Sequence, residues 1–204
     1  MPPSPVVPPI WPMAGKADSF ASGGDIWAHM KLGGAGGRTS VHRGPALGFA
    51  PRDIGGQRFG YAFIQPDDSP YPPILDMHTI KGDVVIEGKG GPITLTPFKV
   101  NHGSIDALGF RIGDLAYLPD VAQIYDDAWD ALQGLDCWIL DALRYTPHPT
   151  HAHLAQSLEW IARMAPRRAV LTNMHVDLDY ATVEAETPDH ITPAYDGMVI
   201  RYPL

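Results

Sequence analysis

The sequence lacks the features that would place it in a membrane or in an oxidising compartment. Its single cysteine, Cys137, excludes an internal disulfide and a cysteine-based zinc site. No run of residues approaches the roughly 20 apolar positions that a membrane-spanning helix needs. The first basic residue is Lys16, so the start of the chain has no charged region of the kind that opens a signal peptide. We therefore expect a cytoplasmic protein without a membrane partner.

Basic residues are scarce in most of the chain. Residues 57–204 hold 10 Lys and Arg against 20 Asp and Glu, whereas residues 1–56 hold five against three, so that net charges of −10 and +2 make the overall −8. The acidic larger part makes a nucleic-acid partner unfavourable, because a surface that binds nucleic acid needs clustered basic side chains. Residues 1–56 also hold 11 Gly and 8 Pro without an apolar period. We expect this segment to be mostly irregular and residues 57–204 to form one domain.

Apolar runs in the larger part alternate between strand-like and helix-like spacing. Runs rich in Val, Ile and Thr on either side of Gly-containing turns predict two hairpins, and one amphipathic period predicts a helix that Thr150 caps and Pro166 stops. Together they predict an α/β or α+β layered sandwich. The predicted strands are 83–88, 92–100, 107–112, 115–118, 137–140, 169–171 and 198–202, with a short helix at 127–133.

Histidine and aspartate side chains follow three of these predicted strands. His102, Asp120 and His175 each come shortly after an apolar run. Imidazole nitrogen and carboxylate oxygen are ligands that suit Zn²⁺ or Mn²⁺, and a rigid sheet holds strand ends in place. Each residue taken alone has a simpler interpretation as a capping or surface residue. Convergence on one ion requires the three strands to be neighbours, which the spacing does not establish.

Several motifs, in order, resemble the metallo-β-lactamase superfamily, and within it the phosphodiesterase branch typified by the phosphoribosyl cyclic phosphate phosphodiesterases. The resemblance implies an αβ/βα sandwich with two metals at the edge where the sheets meet, and it covers the chain from about Arg58 to Leu204. The motifs that carry it are Arg58-Phe59-Gly60-Tyr61-Ala62-Phe63, Val100-Asn101-His102-Gly103, Tyr117-Leu118-Pro119-Asp120, Leu140-Asp141-Ala142-Leu143-Arg144, His148-Pro149-Thr150-His151 and the run from Leu171 to Tyr180.

The resemblance implies a role for each matching residue. His102 matches a ligand of the first metal, His175 a ligand of the second, and Asp120 the carboxylate that bridges both. His151 matches a histidine that protonates the leaving oxygen, so that His151 and Asp120 are the implied catalytic residues. His148 and His153 are weaker candidates for substrate contacts. The alternative for His148 is an exposed loop residue, and for His153 a residue that caps or packs in the first helical turn.

One part of the family pattern is missing. The signature Thr-His-x-His-x-Asp-His should precede His102, but the upstream histidines, His29, His42 and His78, have no partner two residues away. Residues 1–56 are then either a divergent N-terminus or the product of a shifted reading frame or wrong start. In both cases we expect a partial sandwich, with one divalent metal or none where an intact relative holds two. An uncovered sheet edge would favour association into a homo-oligomer.

Three functions remain open at this point. The first, implied by the resemblance, is metal-dependent hydrolysis of a small, cyclic phosphodiester, with a phosphorylated metabolite as the partner. The second is another reaction of the superfamily, such as tRNA 3′-end cleavage or hydrolysis of a lactone or thioester, of which the acidic domain disfavours only the RNA substrate. The third is a truncated, catalytically impaired or non-catalytic metal-binding fragment, which the missing signature favours for this chain.

Overall fold

The structure is a computed structural model that describes residues 26–29, 39–43, 65, 67–72, 75–88 and 90–202. The first three strands form a sheet of their own, in which β1 (Ile26–His29) pairs antiparallel with β2 (Thr39–Arg43) and β2 pairs parallel with β3 (Leu75–Thr79). Within residues 1–56, which we expect to be mostly irregular, the described residues form β1 and β2. Strand β2 carries the β-branched residues Thr39 and Val41 and pairs with β3, a strand of the larger part. The remaining residues of that segment, and the boundary at residue 57, lie outside the described residues.

A second, mixed sheet of eight strands carries most of the chain. Its strands lie in the order β11-β10-β9-β7-β6-β5-β4, with β8 also paired to β5. The strands are β4 (Val84–Gly88), β5 (Gly91–His102), β6 (Ile105–Ile112), β7 (Leu115–Leu118), β8 (Gln123–Ile124), β9 (Cys137–Asp141), β10 (Arg168–Thr172) and β11 (Ile191–Pro193).

The direction of the strands brings several strand ends to one edge. Strands β7, β9, β10 and β11 are mutually parallel. Strand β5 runs in the same direction as β7, because β6 is antiparallel to both. The carboxyl ends of β5, β7, β9 and β10 therefore lie at the same edge of the sheet, where open α/β sheets bind their ligands.

Helices connect the parallel strands and cover the sheet. A 3-10 helix (Asp126–Leu132) precedes β9, α1 (Leu154–Met164) joins β9 to β10, and α2 (Tyr180–Glu186) joins β10 to β11. Helix α1 buries Leu154, Trp160 and Ile161 on one face, as its apolar spacing predicts. The core beneath consists of strand and helix side chains with little or no exposure, among them Val100, Leu118, Trp138, Leu140, Ile161 and Leu171.

Most of the predicted elements are confirmed in their order. Strands β1, β2, β3 and β8 are additional to the predicted ones, and four further differences follow. The helix at 127–133 is a 3-10 helix, and α1 is capped at His153 rather than Thr150. Helix α2 was not predicted, although Asp179 caps it by accepting a hydrogen bond from the Thr182 amide. The predicted strand 198–202 is wrong: those residues are irregular, Val199 is exposed, and the last strand is β11, whose pairing with β10 buries Ile191.

No helix within the described part of the chain is both long enough and apolar enough to cross a membrane. The longest, α1, has 11 residues.

Tyr125 offers a test of how the β5–β6 hairpin is fixed. Its hydroxyl donates to Asp106 Oδ1 at 2.7 Å, and this hydrogen bond lowers the pKa of Asp106, with Lys99 adding to the effect against desolvation. We expect Tyr125→Phe to lower the free energy of unfolding at neutral pH by about 1 kcal/mol. A lowered folded-state pKa means that this stability is present above the ordinary carboxyl pKa and disappears as pH falls through the folded value.

Urea unfolding of both proteins between about pH 3 and pH 7 measures this difference. The control is Tyr71→Phe, which changes a tyrosine that is 77% exposed. A Tyr125→Phe deficit that stays constant down to the lowest pH would contradict the assignment to the Asp106 carboxylate.

Candidate metal centre

Three ionisable side chains meet at the carboxyl edge of the second sheet. Potential ligand atoms of His102, Asp120 and His151 all lie within 4.8 Å of one another. His102 is the last residue of β5, Asp120 follows the end of β7 by two residues, and His151 lies in the loop between β9 and α1. The rings of His102 and His151 are edge-to-face with centroids 4.7 Å apart, and His151 Nδ1 is 3.9 Å from Asp120 Oδ1.

A buried carboxylate orients His151. Asp141, the last residue of β9, has no exposed side-chain surface, and its Oδ2 lies 2.8 Å from His151 Nδ1. The same oxygen accepts hydrogen bonds from the backbone amides of Val121 and Ala152. Because one proton lies between Asp141 and His151 Nδ1, Nε2 is the imidazole nitrogen that remains for a ligand. Carboxylate partners of this kind fix the ring orientation of metal-binding histidines.

Each member of this pair holds a proton more tightly than usual. The hydrogen bond to Asp141 raises the pKa of His151, with desolvation acting in the opposite direction. Burial raises the pKa of Asp141, although the bonds from His151 and the two backbone amides act against it. The two shifts have different causes, since the hydrogen bond favours the imidazolium form of His151 whereas burial disfavours the carboxylate form of Asp141.

The residues present fit a divalent cation. Two imidazoles and one carboxylate form the nitrogen and oxygen donor set that Zn²⁺ and Mn²⁺ accept. His102 is 7% exposed, and its Nδ1 is buried without a hydrogen-bond partner within the described ranges. A buried polar atom without a partner destabilises the folded protein, and a bound cation is one ligand that would compensate for it.

His175 does not join this cluster. Its side chain is 59% exposed, and its Nδ1 lies 2.5 Å from Asp177 Oδ1. His151 therefore lies beside His102 and Asp120 in the cluster, and the role of His175 as a metal ligand, which the resemblance implies, stays a prediction. Between β10 and α2 the backbone turns at Asn173, which has a positive φ of 64°, and His175 lies on the exposed loop that follows.

The two weaker candidates lie in different surroundings. His148 is half-buried beside the cluster, with its ring centroid 5.4 Å from that of His151 and its Nδ1 3.3 Å from the Thr150 amide. Burial, followed by Arg144 and the two neighbouring histidines, lowers the pKa of His148. His153 instead occupies the N-cap of α1, where its Nδ1 is 3.2 Å from Gln156 Oε1. Its contacts match the packing alternative.

Two residues of the site were not identified from the sequence. Asp141 stands inside a quoted motif, directly after an apolar strand, and its position at a strand end is the signal that could have found it. Asn173 also follows a strand directly, but nothing in its sequence context predicts its backbone conformation. Its side-chain nitrogen lies within 3.4 Å of Pro119 O, Asp141 Oδ1 and His151 Nδ1.

A close approach links His102 to the loop that carries His151. Gly103 has a φ of +79°, and a Cβ added there would lie 2.5 Å from Thr150 Cγ2 and 3.2 Å from Pro149 O. The turn after β5 therefore requires glycine for two reasons, its backbone conformation and its contact with the loop 148–151.

We expect Gly103→Ala to destabilise the protein by about 2 kcal/mol or more, through backbone strain and displacement of Thr150. The matched control is Gly197→Ala, at a φ of +85° with no atom within 4 Å of the added Cβ, which isolates the backbone cost. Replacing Thr150 with Ser in the Gly103→Ala protein removes the clashing methyl group and should restore part of the loss. Equal unfolding free energies for Gly103→Ala and Gly197→Ala would contradict the contact argument.

Comparison with known proteins assigns this fold to a family. A model of the beta-lactamase superfamily domain matches residues 54–174, a range that contains all three residues of the cluster together with Asp141 and Asn173. This match and the mixed sheet with its helices confirm the fold class and the superfamily that the motifs predict.

Individual relatives cover the chain to different extents. A diphosphatase from the PhnP family is 30% identical, with a TM-score of 0.64 over 80% of this chain and 57% of that one. Zn²⁺-bound PqqB from Methylobacterium extorquens is 18% identical, with a TM-score of 0.57 over 81% of this chain and 65% of that one, which shows the fold alone. An octanoyltransferase of Porphyromonas gingivalis is 29% identical over 146 residues, which are 69% of this chain but 28% of that protein.

Proposed function

We propose that this chain, which belongs to the beta-lactamase superfamily, acts as a metal-dependent hydrolase of small phosphodiesters. The observation that carries the proposal is the convergence of His102, Asp120 and His151 at the carboxyl edge of the sheet. The diphosphatase that is 30% identical over most of this chain supports a phosphorylated substrate. The excess of acidic residues disfavours an RNA substrate and supports a small metabolite.

His102, Asp120 and His151 would hold one divalent cation. Three protein ligands and an open position are the usual composition of a catalytic zinc site. When bound, such a cation makes hydroxide available near neutral pH and neutralises charge on phosphoryl oxygens. His175, which the resemblance implies as a ligand of a second metal, lies on the exposed loop beside Asp177, outside the cluster of His102, Asp120 and His151.

His151 has two candidate roles, ligand and proton donor, and the geometry favours the first. Asp141 occupies Nδ1 and leaves Nε2 free, which is the arrangement of a metal-binding histidine with a carboxylate behind it. The donor role that the resemblance implies is supported by the raised pKa of His151, which favours the imidazolium form. Both roles place His151 at the reacting group, but they predict different metal contents when the side chain is removed.

His148 is the side chain that we assign to the substrate. Its Nδ1 lies against the amide and hydroxyl of Thr150, so that Nε2 carries the proton of the neutral ring. A lowered pKa keeps this ring neutral near pH 7, and a neutral Nε2–H donates a hydrogen bond to a phosphoryl oxygen without competing for the cation. His153 has its own partner in Gln156 and receives no role in binding.

Metal analysis separates the two roles of His151. We expect the purified full chain to bind one Zn²⁺ or Mn²⁺, and His151→Ala to lose it with a fall in affinity of at least about 100-fold. His148→Ala is the matched control, because it removes a neighbouring imidazole that is not a ligand and should keep the metal. A His151→Ala protein with full metal content and impaired turnover would instead assign His151 as the proton donor.

Turnover of bis(p-nitrophenyl) phosphate tests the reaction itself. We expect slow, metal-dependent hydrolysis, abolished by His102→Ala and by chelation, because one cation supplies less charge neutralisation than two. His148→Ala should raise KM more than it lowers kcat. Two tightly bound metals with vigorous turnover would contradict the single site, and metal binding without any turnover would favour a non-catalytic metal-binding protein.

A further inference from the structure

Asn173 has an unusual backbone conformation that the packing of apolar side chains does not explain. It follows the last residue of β10, its backbone has a φ of 64°, and its side chain is exposed. A residue other than glycine rarely adopts this left-handed conformation, and asparagine is one of the few that tolerates it. Burial of apolar surface does not hold Asn173 in place, so its polar contacts must account for its orientation.

The side-chain amide of Asn173 reaches across two neighbouring strands. Its Nδ2 lies 3.3 Å from Pro119 O, which belongs to the residue before Asp120, and 3.4 Å from Oδ1 of Asp141 at the end of β9. The strands lie in the order β10-β9-β7. One amide therefore connects the ends of three parallel strands, two of which carry residues of the site.

The Asn173 amide nitrogen acts only as a hydrogen-bond donor. Nδ2 carries two hydrogens and accepts no hydrogen bond. Although it also lies 3.3 Å from His151 Nδ1, that nitrogen shares its proton with Asp141 Oδ2 at the shorter distance of 2.8 Å. The two amide hydrogens are therefore available for Pro119 O and Asp141 Oδ1.

The two oxygens of Asp141 have different partners. Within the described part of the chain, Oδ2 is bound by His151 and by the backbone amides of Val121 and Ala152, whereas the hydrogen bond shown for Oδ1 comes from Asn173. Rotation of this carboxylate would move the acceptor away from His151. The Asn173 amide opposes that rotation.

We infer that Asn173 is a positioning residue, which fixes the Asp141 carboxylate behind His151 and the backbone that leads to Asp120. The inference rests on the proposed function for its catalytic meaning, although the contacts themselves exist without a bound cation. Asn173 combines two properties that no other residue type offers together: tolerance of the left-handed backbone, and two amide donors at this distance. Glycine has the first property and lacks the second.

The test compares Asn173→Gly with wild type in the full chain. Glycine suits the φ of 64°, and the position is exposed, so the substitution removes the amide without strain or a cavity. Ala165→Gly is the matched control, because Ala165 also has a positive φ, of 49°, but ends helix α1 without a contact to the site. Thermal unfolding checks that both variants fold.

The first readout is the Nδ1 proton of His151, measured by NMR without added metal and assigned by its loss in His151→Ala. In wild type and Ala165→Gly we expect a downfield resonance that exchanges slowly with solvent. In Asn173→Gly we expect exchange to be at least about tenfold faster, because the acceptor is free to rotate. An unchanged exchange rate in Asn173→Gly would overturn the inference.

The second readout is the affinity for Zn²⁺, for which we expect a fall of about tenfold in Asn173→Gly and none in Ala165→Gly. Asn173→Asp keeps the size and backbone tolerance but replaces the two donors with a carboxylate facing Asp141, so its affinity should not exceed that of Asn173→Gly. Recovery of wild-type affinity in Asn173→Asp would also overturn the inference. If wild type binds no Zn²⁺ at all, the proposed function fails, whereas the proton readout still decides the role of Asn173.

Discussion

A carboxylate without solvent contact, Asp141, is the constraint around which the site is organised. Removing a charged group from water is expensive, and the cost is tolerated only when hydrogen bonds replace the lost hydration. Here the replacements come from the amides of Val121 and Ala152, the imidazole of His151 and the amide of Asn173. These four donors belong to three different segments, so that satisfying one carboxylate fixes the positions of the loops after β7, β9 and β10.

The sheet topology makes this arrangement possible. Strands β7 and β9 are neighbours although β8 and the 3-10 helix separate them in sequence, and β10 pairs with β9 across helix α1. Parallel pairing through such crossovers places successive carboxyl ends side by side. Strand β6 is antiparallel to both β5 and β7, so β5 runs parallel to β7 and His102, at the end of β5, lies at the same edge. Long-range pairing, rather than proximity in sequence, assembles the cluster.

The sequence identifies the two residues of the cluster that lie at or just after strand ends. His102 and Asp120 follow strongly apolar runs, and a rigid strand end leaves little freedom in where the next residue points. His175 also follows a clear strand, but Asn173, which has a positive φ, and Met174 lie between them, and no apolar pattern predicts that backbone conformation. His151 lies in a loop between β9 and α1, so its approach to Asp120 depends on the buried hydrogen bond to Asp141.

Apolar patterns also fail to predict the elements at the C-terminal end. The run at 198–202 is apolar enough to predict a strand, but the edge of the sheet is already occupied by β11, whose Ile191 is buried against the core. Val199 remains exposed as a consequence, and its neighbours Met198 and Ile200 are only partly buried. Helix α2 has only seven residues, too few for an apolar period to stand out, and its capping aspartate, Asp179, is the local signal of its start.

The composition of the cluster determines the net charge that a bound cation would keep. Asp120 is the one carboxylate among the three clustered residues, and His102 and His151 are neutral when they act as ligands. A divalent cation held by one carboxylate keeps net positive charge, which suits an anionic phosphodiester better than a neutral lactone or thioester. The same charge would be reduced if Asp141 were also a ligand, but its oxygens point to Val121, Ala152, His151 and Asn173. Because Asp141 lies behind His151, it would not reduce the positive charge of a cation held by His102, Asp120 and His151.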